Sequence, residues 1–176
     1  MPTRRGGSEH IGAKARERSM ELAEATREKK LAALASVGSA LLLVGIKIFL
    51  TVATGSLGVL SEALHSSLDL IAAVVTYLSV RAADEPADEK HPYGHGKIES
   101  FSAFVETGLL LLTALYIIWE AIQRLFFQSF QLRPSVLAMG LLGVALGIDL
   151  LRARALGRVA KKHMSEALEA DALHFS

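Results

Sequence analysis

The sequence predicts an all-α fold, a polytopic bundle of transmembrane helices with four full spans and the start of a fifth. Three observations carry this. Of the 176 residues, 51% are hydrophobic, and they gather into runs near the ~20 apolar residues that a helix needs to cross a bilayer core of ~30 Å. The four prolines, Pro2, Pro86, Pro92 and Pro134, all fall outside those runs, as intact helices require. Lysine and arginine crowd alternate loops, the pattern that orients membrane helices.

The elements follow in order. Ser8–Lys30 is charged, rich in Ala and Glu and free of Pro, so residues 1–30 read as a helical cytoplasmic extension leading into a membrane domain over 31–176. Leu31–Thr54 is the first span, broken only by Lys47, whose stem is expected to snorkel and carry its ammonium to the outer interface. Gly55-Ser56-Leu57-Gly58 marks the turn into the second span, Val59–Val80, with Glu62, His65 and Asp69 as its polar exceptions. Phe101–Trp119 is the third span, and Tyr116, Trp119, Phe126 and Phe127 fit an interfacial aromatic belt. Val136–Leu151 is the fourth, carrying Asp149, which either pairs with a basic residue or faces an ion path. Ser165–Ser176 begins a fifth; at 1.5 Å per residue, twelve residues cover about 18 Å, less than the core.

Eight Lys and Arg precede Leu31, three lie between the second and third spans, and five follow the fourth, against Arg124 and Arg133 on the opposite side. The bias predicts that the N-terminus and the second and fourth loops are cytoplasmic. The charged first 30 residues have no apolar centre, so no cleaved secretory signal is expected. There is no cysteine, which leaves His, Asp and Glu as metal ligands. Basic residues flank the spans rather than forming a domain of their own, so nucleic acid is not an expected partner. No Gly-rich phosphate loop, nucleophile elbow or HExxH points to an enzyme, and no cofactor is implied.

The chemistry lies in a motif that occurs twice. Glu62-Ala63-Leu64-His65-Ser66-Ser67 returns as Asp171-Ala172-Leu173-His174-Phe175-Ser176. In the first copy His65 and Asp69 are one helical turn apart on one face, so an imidazole and a carboxylate can meet on one metal ion. The second copy stops two residues before the matching aspartate would fall. Two such helices facing each other would supply two nitrogen and two oxygen ligands, a tetrahedral zinc-type set. Ionisable residues within a span are costly and mark function, and here three align on one helix. Glu62 lies nearer the outer end and is expected to line the exit or orient a ligand. Asp171 holds the matching place beside His174 nearer the cytoplasm, where it would help ions in. Asp84–Glu99 is a second cluster, with Asp88, His91 and His95 among its carboxylates and imidazoles; its spacing fits a metal-binding loop or a solvated acidic one.

These pieces resemble the cation diffusion facilitator family of zinc and divalent-metal transporters. Gly55-Ser56-Leu57 with Ser61-Glu62-Ala63-Leu64-His65-Ser66-Ser67-Leu68-Asp69 is the first match. His91-Pro92-Tyr93-Gly94-His95-Gly96-Lys97-Ile98-Glu99 and Lys161-Lys162-His163 with Ser165-Glu166-Ala167-Leu168 and Ala170-Asp171-Ala172-Leu173-His174 complete it. The resemblance implies a homodimeric metal/proton antiporter of the plasma (inner) membrane that moves divalent ions, zinc first and Fe2+, Co2+, Cd2+ or Mn2+ as alternatives, out of the cytoplasm. It also implies that His65, Asp69 and His174 are intramembrane ligands and that Asp88 and His95 are loop ligands. The family's fifth-span aspartate, sixth span and C-terminal cytoplasmic domain are not in this sequence, so a fragment is expected. The alternative is a truncated, non-transporting partner that dimerises with a full-length transporter and regulates it.

Overall fold

The computed structural model describes residues 5–55, 57–85, 92, 94–127 and 136–175. Five α-helices and no strand occur among them: α1 Arg5–Thr54, α2 Leu57–Ala83, α3 Lys97–Phe127, α4 Val136–His163 and α5 Glu166–His174. Three, α1 to α3, are long and apolar enough to cross a membrane. The apolar part of α4 is diluted by Gly140, Gly143, Gly147 and Asp149 before the basic run starts at Arg152; α4 is nonetheless a continuous helix of 28 residues.

α1 is one unbroken helix of 50 residues, about 75 Å long at 1.5 Å per residue. That is more than twice the bilayer core, so its charged N-terminal part projects beyond the apolar stretch. Within that stretch Ala33, Ser36, Ala40, Leu43, Val44, Lys47 and Leu50 are buried, a stripe at three- and four-residue spacing that defines one packed face. The opposite face, with Leu41, Leu42, Ile48 and Phe49, is exposed.

Gly55 ends α1 at φ 61°, with its N–H donating to Thr51 O at 2.9 Å. A left-handed residue at a helix C-terminus favours glycine, which has no Cβ to clash. The chain then turns back as α2, packed along α1. α3 adds to α2, α4 to α1, and α5 returns along α4 into contact with α2 and α3. Thus α2, α3 and α4 all pack on α5, the shortest helix.

In α3 the polarity is inverted relative to a water-soluble helix. Its buried residues are Ser102, Glu106 and Thr113, while Leu111, Leu112, Leu115 and Ile118 face outward. Lipid solvates such an exterior, and interhelical hydrogen bonds satisfy such an interior. The apolar core is small-residue packing of Ala33, Val80, Leu156, Ala160, Ala167, Leu168 and Ala172. It lies where α1's apolar stretch begins and α2 and α4 end, the basic end of the bundle. Small side chains let the helix backbones approach closely there.

Met164 forms the junction between α4 and α5 at φ 50°, and the next N–H, of Ser165, donates to Ala160 O at 3.1 Å. This is a Schellman-type stop with methionine where glycine is usual. Ser165 then N-caps α5, its Oγ accepting from Leu168 N–H at 3.5 Å.

Candidate metal site in the helix bundle

α2 and α5 bring the two copies of the motif together. His174 on α5 and Asp69 on α2 are 2.8 Å apart, Nε2 to Oδ1, although 105 residues separate them in sequence. His65, one turn before Asp69, has its Nε2 at 3.9 Å from the same Oδ1. One carboxylate oxygen thus meets two imidazoles. Asp69 is 8% exposed and the His174 side chain 5%, so the meeting point lies inside the bundle.

The other ring nitrogen of His174 is Nδ1. That nitrogen is buried and has no hydrogen-bond partner among the described residues. No group of three His, Cys, Asp or Glu side chains among the described residues is assembled tightly enough to hold a metal ion. His174 is hydrogen-bonded to Asp69, and His65 lies near the same oxygen without a hydrogen bond to it.

The residues around them form polar networks between helices. Arg152 on α4 donates from Nε to Ser36 Oγ at 2.7 Å and from Nη2 to Asp171 Oδ1 at 3.3 Å. Ser36 Oγ–H in turn donates to Asp171 Oδ2 at 2.7 Å. The guanidinium also lies 3.7 Å from the Phe175 ring centre, a cation–π distance. Asp171 is fully buried. A guanidinium and a hydroxyl enclose it beside His174, where the sequence places it as a residue that helps ions in.

Lys47 departs from expectation. It is 4% exposed and does not reach outward. Its ammonium donates to Glu62 Oε1 at 2.7 Å and to Ser66 Oγ. The physical reason is the hairpin: residues 47 and 62 stand almost equally far from the Gly55 turn, so α1 and α2 place them at one level. A carboxylate at hand outcompetes a distant interface for a buried ammonium.

Glu106 on α3 lacks a histidine at helical spacing, so no motif singles it out. Its Oε1 accepts from Thr76 at 2.6 Å and Ser102 at 3.0 Å, while Oε2 is buried without a partner among the described residues. The rule that drew attention to Asp69, an acidic residue inside an apolar span, applies equally to Glu106. Asp149 is half-buried on α4, one turn before Arg152.

Charged contacts tie the helices together at the basic end. Lys29 donates to Asp84 at the end of α2 and to Glu99 at the start of α3, both at 3.0 Å, and Ser165 Oγ–H donates to the other Glu99 oxygen at 2.9 Å. Burial pulls the Lys29 ammonium toward its neutral form, but the bonds to Glu99 and Asp84 outweigh this and hold its pKa above the usual lysine value. Glu28 accepts from Lys162 Nζ and meets His163 Nε2, each at 2.7 Å. The Lys162 hydrogen bond, with that of His163, lowers the Glu28 carboxyl below its ordinary pKa.

His95 lies before α3, its carbonyl accepting from Ile98 N–H at 2.9 Å. From His65 to the end of α2 is about 27 Å of helical rise, so His95 belongs to the far end of the bundle. Asp88 and His91, expected beside it, lie outside the described residues.

Residues 33–176 match the cation efflux transmembrane domain. The chain belongs to the cation efflux family. A transporter of Synechocystis sp., named uncharacterized transporter sll1263, is 38% identical over 147 residues, 81% of this chain and 46% of its own length. The cation-efflux pump FieF of Salmonella arizonae is 34% identical over 144 residues, covering 82% of this chain and 48% of the pump. FieF of Serratia proteamaculans is 35% identical over 146 residues, with 83% and 48% covered. The chain thus spans about half the length of these curated relatives. A cation efflux helix bundle accounts for the apolar exterior and for the buried His and Asp side chains within it.

Proposed function

We propose that this chain is the helical part of a divalent-metal exporter, with zinc as the main substrate, in which His65, Asp69 and His174 receive the ion within the membrane and protons move the other way. The observation that carries the reading is the meeting of His65 and His174 at Asp69, on two helices that share the same short motif. Membership of the cation efflux family and the name of the FieF relatives support cation efflux as the activity.

Metal and protons compete for these groups. Ligation requires a neutral imidazole and an ionised carboxylate, so each ion bound displaces protons. That competition alone couples outward metal movement to inward proton movement. Two half-sites on separate helices suit alternating access by rocking of α2 and α5 against their neighbours. A homodimer in the plasma (inner) membrane with a cytoplasmic N-terminus completes the reading, the orientation resting on the positive charge of the alternate loops. Asp88 and His95 are proposed as a separate loop site, and Asp149 as a residue beside the ion path.

Calorimetric zinc titration of the chain in detergent, in buffers of different ionisation enthalpy, tests this. The reading expects binding with proton release, and at least a tenfold loss on His65→Ala and on His174→Ala. Zinc binding unaffected by both substitutions would move the principal site elsewhere and overturn the mechanism.

A further inference from the structure

Lys47 has no part in the transport reading, yet its pair with Glu62 sits beside the proposed site. Glu62 is one helical turn from His65 on α2, with Cβ atoms about 5–6 Å apart at that spacing. Ser66, the second acceptor of the ammonium, follows His65 directly. The Lys47 side chain is 5% exposed, whereas that of Glu62 is 43% exposed. The ammonium is therefore the enclosed partner, and the carboxylate is the more exposed one that it holds.

A carboxylate one turn from a metal-binding imidazole is itself a ligand in waiting. With Glu62 added, His65, Asp69 and His174 would become a four-donor set on their own. A transporter gains nothing from a site that holds its ion too well, because an ion must bind well enough to be taken and weakly enough to leave. We infer that Lys47 is a tethered cation that reserves the Glu62 carboxylate, keeping it out of the metal's coordination sphere so that the ion can be released. The inference rests on the proposed role of His65, Asp69 and His174, and it makes Lys47 a positioning residue that acts through Glu62.

The role predicts an uncommon sign: removing a side chain tightens binding. Zinc affinity of the chain is measured by calorimetry in detergent for wild type, Lys47→Met, Lys47→Arg and Lys47→Met/Glu62→Gln, each with and without His65→Ala. Lys47→Met is expected to bind zinc at least tenfold more tightly, and Lys47→Arg, which keeps the pair, to match wild type. Adding Glu62→Gln should abolish the gain, and His65→Ala should abolish both the gain and the wild-type binding. An unchanged or weaker affinity in Lys47→Met overturns the inference. Wild-type binding that survives His65→Ala overturns the site assignment instead, so the two failures are distinguishable. Should Lys47→Met not fold, Glu62→Gln alone decides: within about threefold of wild type it supports a withheld carboxylate, and a tenfold loss makes Glu62 a native ligand and refutes the proposal.

Discussion

In the proposed site Asp69 is the central residue, its Oδ1 lying 2.8 Å from His174 Nε2 and 3.9 Å from His65 Nε2. Asp69→Asn keeps the size and a hydrogen-bond acceptor for His174 but loses the charge a metal requires. Zinc affinity measured by titration is expected to fall at least tenfold, with the helical content unchanged by circular dichroism. Arg152 is a different case, since its role is to neutralise Asp171, which is fully buried. Removing one member of a buried ion pair strands the other's charge and costs about 3–5 kcal/mol, whereas replacing both is often neutral. Arg152→Met is therefore expected to destabilise the chain by about that amount in detergent unfolding, and Arg152→Met/Asp171→Leu to recover most of it. That His65 and Asp69 share a face was legible in the sequence because helix periodicity fixes it. The partner of Lys47 was not, because its long stem reaches either an interface or a carboxylate, and only the facing helix decides between them. The Arg152–Ser36–Asp171 network was beyond reach for the same reason: its members are 135 and 116 residues from Ser36 along the chain.

At the scale of elements, apolar runs located the spans well, and local chemistry located their ends. Gly55 was readable as a turn because glycine is the residue that left-handed backbone favours. Met164 was not, since nothing about methionine announces a positive φ. An ordinary side chain in that conformation costs roughly 1–2 kcal/mol, and Met164 is 89% exposed, so it has no buried packing to lose. Met164→Gly is expected to stabilise the α4–α5 junction by about 1 kcal/mol, less the glycine's own entropy cost, measured by unfolding in detergent. Ser165→Ala should act oppositely. It removes the cap, which is worth about 1 kcal/mol, together with the bond to Glu99. The lower apolar content of α4 reflects its second task, since its last turns carry Arg154, Arg158, Lys161 and Lys162 to the basic end.

For the whole molecule, polarity in the bundle runs from an apolar outside to a polar inside. The fold class was legible from that excess of apolar residues, which a water-soluble chain of this size would have to bury. Orientation rests on charge alone, and the lack of cysteine makes it directly testable. Single substitutions Ala23→Cys and Gly55→Cys should label from opposite sides of intact cells with a membrane-impermeant maleimide, Gly55→Cys from outside. Acid should loosen the contact between α1 and α4. The Glu28 carboxyl has a lowered pKa in the fold, so its stabilising contribution is complete above its ordinary value of 4.5 and fades as pH falls through the lower folded value. The melting difference between wild type and Glu28→Gln should accordingly be present at pH 7 and shrink as pH is lowered below 4.5.

α1 continues as one helix from the membrane into the charged extension, with no break at the boundary. Helices are stiff over this length, so residues 5–30 form an arm of about 39 Å whose fulcrum is the apolar stretch. A tilt of about 10° in the bundle would carry the tip through about 7 Å of that arm's swing. Glu28 and Lys29, bonded to α4, α2 and α3 near the fulcrum, couple such a tilt to the helices that hold the site. Small rearrangements within the bundle would thereby become large displacements at the arm's tip.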